Sequence, residues 1–206
     1  MSQRLLSHSE ASTALDCQVK HAFAYTGRLT GGTTLSPKSR APQLIAGKAW
    51  GAAVAAWHAN QDSEPIEHAL VALDIQLSLD AAEQQAHGVF DAEAFEEMRD
   101  LLSGLLIDYA AESEPLNLSR LERELVSPIP SRGGRRRSNR YRLQAFVDGI
   151  HTDAQGRDWI VEFKLRKQLT SFDLIAKARQ TRWYAWAWRE ETGHPVAGII
   201  VEERLR

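Results

Sequence analysis

The chain has 206 residues, with 25 Lys and Arg against 27 Asp and Glu and a formal net charge of −2. That length favours one domain over two, and 43% apolar with 25% charged residues is ordinary for a globular protein. A single cysteine, Cys17, excludes an internal disulfide framework and a cluster held by several cysteines of this chain; no apolar run approaches the ~18 residues of a membrane helix, and no apolar segment after Arg4 resembles a signal peptide, so a cytoplasmic location is expected.

The near-zero net charge conceals an asymmetry. Residues 1–60 carry 6 Lys and Arg against 2 Asp and Glu, residues 61–125 carry 3 against 16, and residues 126–206 carry 16 against 9. Two basic segments flank an acidic one, a pattern that points the basic parts towards a polyanion.

In chain order, residues 7–25 read as a helix, with Ser7 and Glu10 at capping-box spacing and Gly27 as a stop. Residues 30–43 have loop composition. Residues 44–60 are Ala-rich and helical, with Trp50 and Trp57 seven apart on one face. Residues 64–112 read as two or three acidic amphipathic helices, with Leu101, Leu102, Leu105 and Leu106 on one stripe and Pro115 closing the region. Residues 121–127 fit a strand or a short helix end, and residues 128–140 a Pro/Gly/Arg loop. Residues 141–151 and 158–166 alternate as strands around the turn TDAQGR. A helix over 171–192 ends at Gly193, and 195–203 is a last strand.

The predicted hairpin carries the chemistry. Asp148 lies near the end of its first strand, and Glu162 and Lys164 lie two apart on the second. Strand alternation therefore puts Glu162 and Lys164 on one face, with Trp159, Val161, Phe163 and Leu165 on the other. Two carboxylates and a lysine then converge from neighbouring strands. Hard oxygen ligands suit Mg²⁺ or Mn²⁺, and a lysine beside such an ion can orient a water or steady a phosphate. A surface Glu162–Lys164 salt bridge with Asp148 as a turn residue is the plainer alternative.

Asp148, thirteen intervening residues and then Glu162-Phe163-Lys164 resemble the signature of the PD-(D/E)XK nuclease superfamily. Gln180-Thr-Arg-Trp-Tyr184 resembles the Gln-x-x-x-Tyr motif of its RecB-like phage and CRISPR-associated exonuclease branch, and i, i+4 spacing places both side chains on one helical face. The segment around Leu6, Ser9, Leu15, Cys17 and Leu29 is similar to the opening helix of that branch. The resemblance implies an α/β core, a mixed sheet flanked by helices, with a helical N-terminal half. It implies one nuclease domain over 1–206, mainly helical to 115 and catalytic over 116–206.

It implies, further, a Mg²⁺- or Mn²⁺-dependent deoxyribonuclease, an exonuclease acting at linear duplex or single-stranded DNA ends in phage or prophage recombination or repair. Asp148, Glu162, the Phe163 carbonyl and Glu124 would hold metal, with Glu122 competing with Glu124 on the same strand face. Lys164 would position the water, and Gln180 and Tyr184 would hold DNA. Relatives that bind an iron–sulfur cluster use Cys17 with three later cysteines, which are absent here, so no cluster is expected and Cys17 should be a buried thiol. Gly47-Lys-Ala-Trp-Gly51 resembles the Gly-x-x-x-His motif, with Gly51 where the family has a metal-ligating His. His58 lies two turns, ~10 Å, further on.

Residues 132–142 contain six Arg and would clamp phosphates. Lys167, Lys177, Arg179 and Arg182 add charge beside Gln180. Trp183, Trp186 and Trp188 cannot all face one core, which leaves one free to stack a base or to pack on the N-terminal helices. His151 is expected to be structural. The acidic segment would face away from DNA or bind a basic recombination protein. The rival readings are a nuclease-fold DNA-binding module weakened by Gly51, and a non-enzymatic interaction protein.

Overall fold

The computed structural model describes residues 3–26, 41–61, 64–130 and 137–206. The expected loop over 30–43 and the Arg cluster around 132–136 lie largely outside the described residues. Five strands form one mixed sheet: β1 (Arg4–Ser7), β2 (Leu118–Pro130), β3 (Arg137–Thr152), β4 (Asp158–Arg166) and β5 (Gly198–Leu205). Seven described helices flank it: α1 (His8–Asp16), α2 (Gln18–His21), α3 (Pro42–Ala59), α4 (Pro65–Ala86), α5 (Ala92–Glu112), α6 (Phe172–Lys177) and α7 (Arg179–Thr192).

The long strand β3 organises the sheet. Antiparallel β2 runs along one side of it from Pro130 to Leu118. On the other side its first half pairs with parallel β1, at residues 141–144, and its last residues pair with antiparallel β4, at 149–152. Residues 145–148 of β3 therefore lie in a fork between two different partners. β5 pairs in parallel with β4 and closes the sheet.

Both faces of the sheet are covered. On one, the Ala-rich α3 lets Trp50, Val54 and Trp57 pack closely with Leu73, Leu77, Leu102 and Leu106 of α4 and α5, over Val161 and Phe163. On the other, Tyr184, Ala187 and Trp188 of α7 cover Leu125, Ala145, Val147, Ile150 and Ile160. Cover on both faces explains why β4 is buried continuously from Ile160 to Phe163, although its sequence alternates.

Several expectations are corrected. Residues 7–25 do not form one helix. Ser7 is the N-cap, its hydroxyl accepting the Glu10 N–H at 3.1 Å, as the capping spacing predicts. Cys17, however, is extended (φ −156°, ψ 105°) and breaks the helix, and a π-helical turn follows at Ala22–Thr26. Cys17 is exposed rather than buried, because its Sγ caps α2 by accepting the Lys20 N–H at 3.4 Å. The N-terminal half is not all helical: Arg4–Ser7 adds a strand. The acidic region holds two helices. Residues 121–127 belong to a strand that continues to Pro130, and β3 starts at Arg137, so both run into the expected loop. The helix over 171–192 breaks at Ala178, which takes an extended ψ of 136°. The Thr181 hydroxyl lies within hydrogen-bond reach of the Ile175 and Ala178 carbonyls there, at 3.1 and 2.9 Å, and can donate to either.

Candidate active site

The site forms where β4 leaves β3. Register holds from Thr152↔Asp158 to Gly149↔Val161 and then stops. Asp148 fills the gap in the ladder: its Oδ2 accepts the Phe163 N–H at 2.7 Å. A main-chain donor that lost its strand partner is thus satisfied by a side chain. Glu162 and Lys164 project together, as alternation requires, and the Lys164 ammonium bonds Glu162 Oε1.

Glu162 is only 4% exposed. The Gln180 amide donates to its Oε1 at 2.9 Å and to the Tyr184 hydroxyl at 2.6 Å. One turn of α7 thereby ties both motif residues to the β4 carboxylate. Glu162 Oε2 is buried and has no hydrogen-bond partner among the described residues. A buried carboxylate oxygen without a donor is costly, and it is the arrangement a cation would complete.

Asp148 is pushed up to about 7, first by burial and then by the Glu162 charge; the Phe163 N–H and the Lys164 charge oppose the shift, and Glu122 adds to it. Burial, with the nearby Glu162 charge, also drives the Tyr184 phenol well above its ordinary range, so it remains a neutral hydroxyl. A buried Asp148 carboxyl beside the Glu162 charge fits a divalent cation, whose own charge would offset both the burial and the repulsion. Among the described residues no group of three or more His, Cys, Asp or Glu is assembled for metal. The Asp148–Glu162 pair is the candidate side-chain donor set, and the Phe163 carbonyl, next to Glu162 in sequence, is a candidate third oxygen.

A cleft of about 180 Å³ opens beside Asp148, between Gly47, Lys48 and Gly51 of α3, Glu122 of β2 and Lys164. Lys164 also lines a second, smaller cleft with Glu162, Gln180 and Tyr184, so it stands between the two. Gly51 faces the first cleft, and a Cβ there would meet no atom within 4 Å.

His58 does not reach this cleft. It is buried, and its ring stacks on Phe163 at 5.3 Å between centroids. Its Nδ1 accepts the Leu116 N–H at 3.0 Å and its Nε2 donates to the Tyr109 hydroxyl at 2.9 Å. Tyr109 in turn donates to Glu202 at 2.7 Å. Every polar atom of the imidazole is used for structure.

Glu122 and Glu124 part company despite their strand parity. Glu122 takes a left-handed φ of 44° and lies opposite Asp148, in the cleft. Glu124 is exposed, accepts from Gln144 at 2.7 Å and does not line the cleft beside Asp148. His151 bonds the Asn117 carbonyl at 3.1 Å, a structural contact. Of the three helix tryptophans, Trp188 is in the core, Trp186 is partly buried against it, and Trp183 meets the edge of His8 at 5.1 Å between centroids.

Lys48 was not among the expected site residues. It lines the Asp148 cleft and stands 3.8 Å from the buried Asp80. Its signal is that Pro42–Ala59 contains no other Lys, Arg, Asp or Glu.

The model of the PD-(D/E)XK nuclease superfamily matches residues 5–203. No curated protein matches the chain in sequence. No helix among the described residues is long and apolar enough to cross a membrane.

Proposed function

The chain belongs to the PD-(D/E)XK nuclease superfamily, and from that premise we propose that it is a metal-dependent deoxyribonuclease. The observation that carries the proposal is Glu162: buried, bonded through one oxygen to Lys164 and Gln180, and with its other oxygen unpartnered beside Asp148. Asp148, Glu162 and the Phe163 carbonyl would hold Mg²⁺ or Mn²⁺, hard ions suited to oxygen donors. Glu122 is better placed than Glu124 to act through water.

Such an ion polarises a phosphoryl oxygen and makes a bound water more acidic. The rest falls to the chain's own groups. In hydrolysis the water oxygen bonds to phosphorus, a P–O bond breaks, and the leaving oxygen takes up a proton. Lys164, anchored on Glu162, steadies the added negative charge at the phosphate and orients the water. Gln180 holds Glu162 in place. Its bond to Tyr184 fixes a neutral phenol at the wall, where it contacts the strand near the cut. Lys48 offers a second cation to a phosphate from the α3 side.

The likeness of Gln180-x-x-x-Tyr184 to the RecB-like motif supports the narrower reading, an exonuclease acting at DNA ends in phage or prophage recombination or repair, with a basic recombination protein as the partner of the acidic helices. The test is degradation of end-labelled linear duplex beside a closed circle, with Mg²⁺, with Mn²⁺ and with chelator, using Glu162→Gln as control. Metal-dependent loss of linear DNA alone, abolished in the variant, is the expected result. Cutting of the circle would make it an endonuclease. Retention of DNA without cleavage would favour a binding module lacking the family His at Gly51.

A further inference from the structure

The wall of the candidate site beyond Gln180 carries an exposed apolar feature that the hydrolytic chemistry does not use. Phe172 opens α6 with 81% of its surface exposed, and Leu169 and Leu174 beside it are 59% and 63% exposed. Phe172 is one side of an open groove of about 260 Å³, whose other walls are Ile175, Ala185 and Ile199, with Arg182 at the rim. Ile175 and Thr181 line both this groove and the cleft that holds Glu162, Lys164 and Tyr184. The groove therefore adjoins the candidate catalytic cleft, with Ile175 and Thr181 between them.

Its surroundings are basic. Lys167 and Lys177 are exposed on the same segment, against the single acid Asp173. The Arg182 guanidinium donates to the Lys177 carbonyl at 2.6 Å, a neutral acceptor that fixes its position without cancelling its charge. The segment is also held in shape: Thr181 bridges the break between α6 and α7, and the Thr170 N–H is held by Glu203 at 2.7 Å.

Resting on the nuclease reading, we propose that this groove is a subsite for an unpaired nucleobase of the substrate strand, stacked on Phe172 under Arg182. A base is a flat apolar ring on a polyanionic chain, and the groove is a small apolar slot with cations at its rim. Aromatic stacking is indifferent to base identity, and a guanidinium adds an attraction to the ring face. A helix of a protein partner would need a longer trough than the one Phe172 bounds.

The test uses the full chain in chelator, so that no strand is cut. Anisotropy titrations compare a labelled oligothymidylate with an abasic strand of equal length and charge. Phe172→Ala should weaken oligothymidylate binding by about tenfold, leave the abasic strand within about twofold, and be rescued by Phe172→Trp. Because Phe172 is exposed, the Ala variant should melt with the wild type. Equal loss on both strands, or no loss on either, would overturn the proposal. A wild-type protein that cleaves linear DNA with metal while Phe172→Ala binds unchanged would sink the subsite alone. A wild-type protein that neither binds nor cleaves DNA would sink the nuclease reading and the subsite with it.

Discussion

The Asp148 carboxylate accepts the main-chain N–H of Phe163 at 2.7 Å, at the point where β4 stops pairing with β3. One side chain thereby closes an open ladder position and anchors the strand that carries Glu162 and Lys164.

The same residue sets a pH dependence. Its carboxyl is raised to about 7 in the fold, chiefly by burial, against an ordinary value of 3.8. Below about pH 4 it is neutral in both states. Between about 4 and 7 the unfolded chain gives up the proton first, so metal-free stability falls as pH rises, and it levels off above 7. Asp148→Asn keeps an oxygen for Phe163 and removes the charge. Its metal-free melting temperature should exceed the wild type's at pH 8 and match it near pH 4, while cleavage is lost. Thermal melts across pH in chelator check this.

Metal binding should rise over the same window, since the ligand must be ionised. Calorimetric titration with Mn²⁺ should show affinity increasing from pH 6 to 8 and releasing protons. Glu162→Gln should abolish the heat.

Lys164→Ala should lower the cleavage rate by about 10²–10³-fold, the usual effect of deleting one charge-stabilising donor. Mn²⁺ affinity should survive. Single-turnover cleavage beside calorimetry separates the two effects, and a parallel loss of metal would show that Lys164 only organises Glu162.

Gly51→His has room, since nothing lies within 4 Å of a Cβ there and the position faces Asp148 across the cleft. It also removes a helix-interior glycine. Mn²⁺ binding should tighten by roughly tenfold, ~1.4 kcal/mol. An unchanged affinity would mean that the new imidazole does not reach the carboxylates.

Tyr109→Phe should destabilise the fold by about 1–3 kcal/mol, because His58 Nε2 and Glu202 each lose a buried partner. Chemical denaturation measures it. The ring contacts of Tyr109 with Trp50 and Trp57 remain, so the loss belongs to the hydroxyl.

Local pattern made part of this legible. The hairpin of β3 and β4 shows as two alternating runs around a turn, and i, i+4 spacing leads directly to the Gln180–Tyr184 bond. Ser7 and Glu10 reveal a helix start for the same reason. What local pattern lacks is distant partners. Arg4–Ser7 is a strand only because Tyr141–Gln144 offers it an edge. Glu122 faces Asp148 because its backbone turns left-handed, which parity does not foresee. The distance of His58 from the family His position is legible, but its occupation by Leu116 and Tyr109 is not, and the exposure of Cys17 follows from a break with no Gly or Pro to announce it.

The sharing of β3 between β1 and β4 also joins parts of the chain that are far apart in sequence. The α3–α4 and α4–α5 contacts join neighbours in the chain and close short loops. β1 pairs with residues 141–144, more than a hundred and thirty residues on, and β5 pairs with β4 across α6 and α7. Contacts so far apart in sequence carry the largest loop-closure cost and form slowly. The fork that holds Asp148 is bounded by β1 on one side and by β4, backed by β5, on the other. The local β3–β4 hairpin brings the two carboxylates near each other, but the strands that bound their fork on either side come from the two ends of the chain.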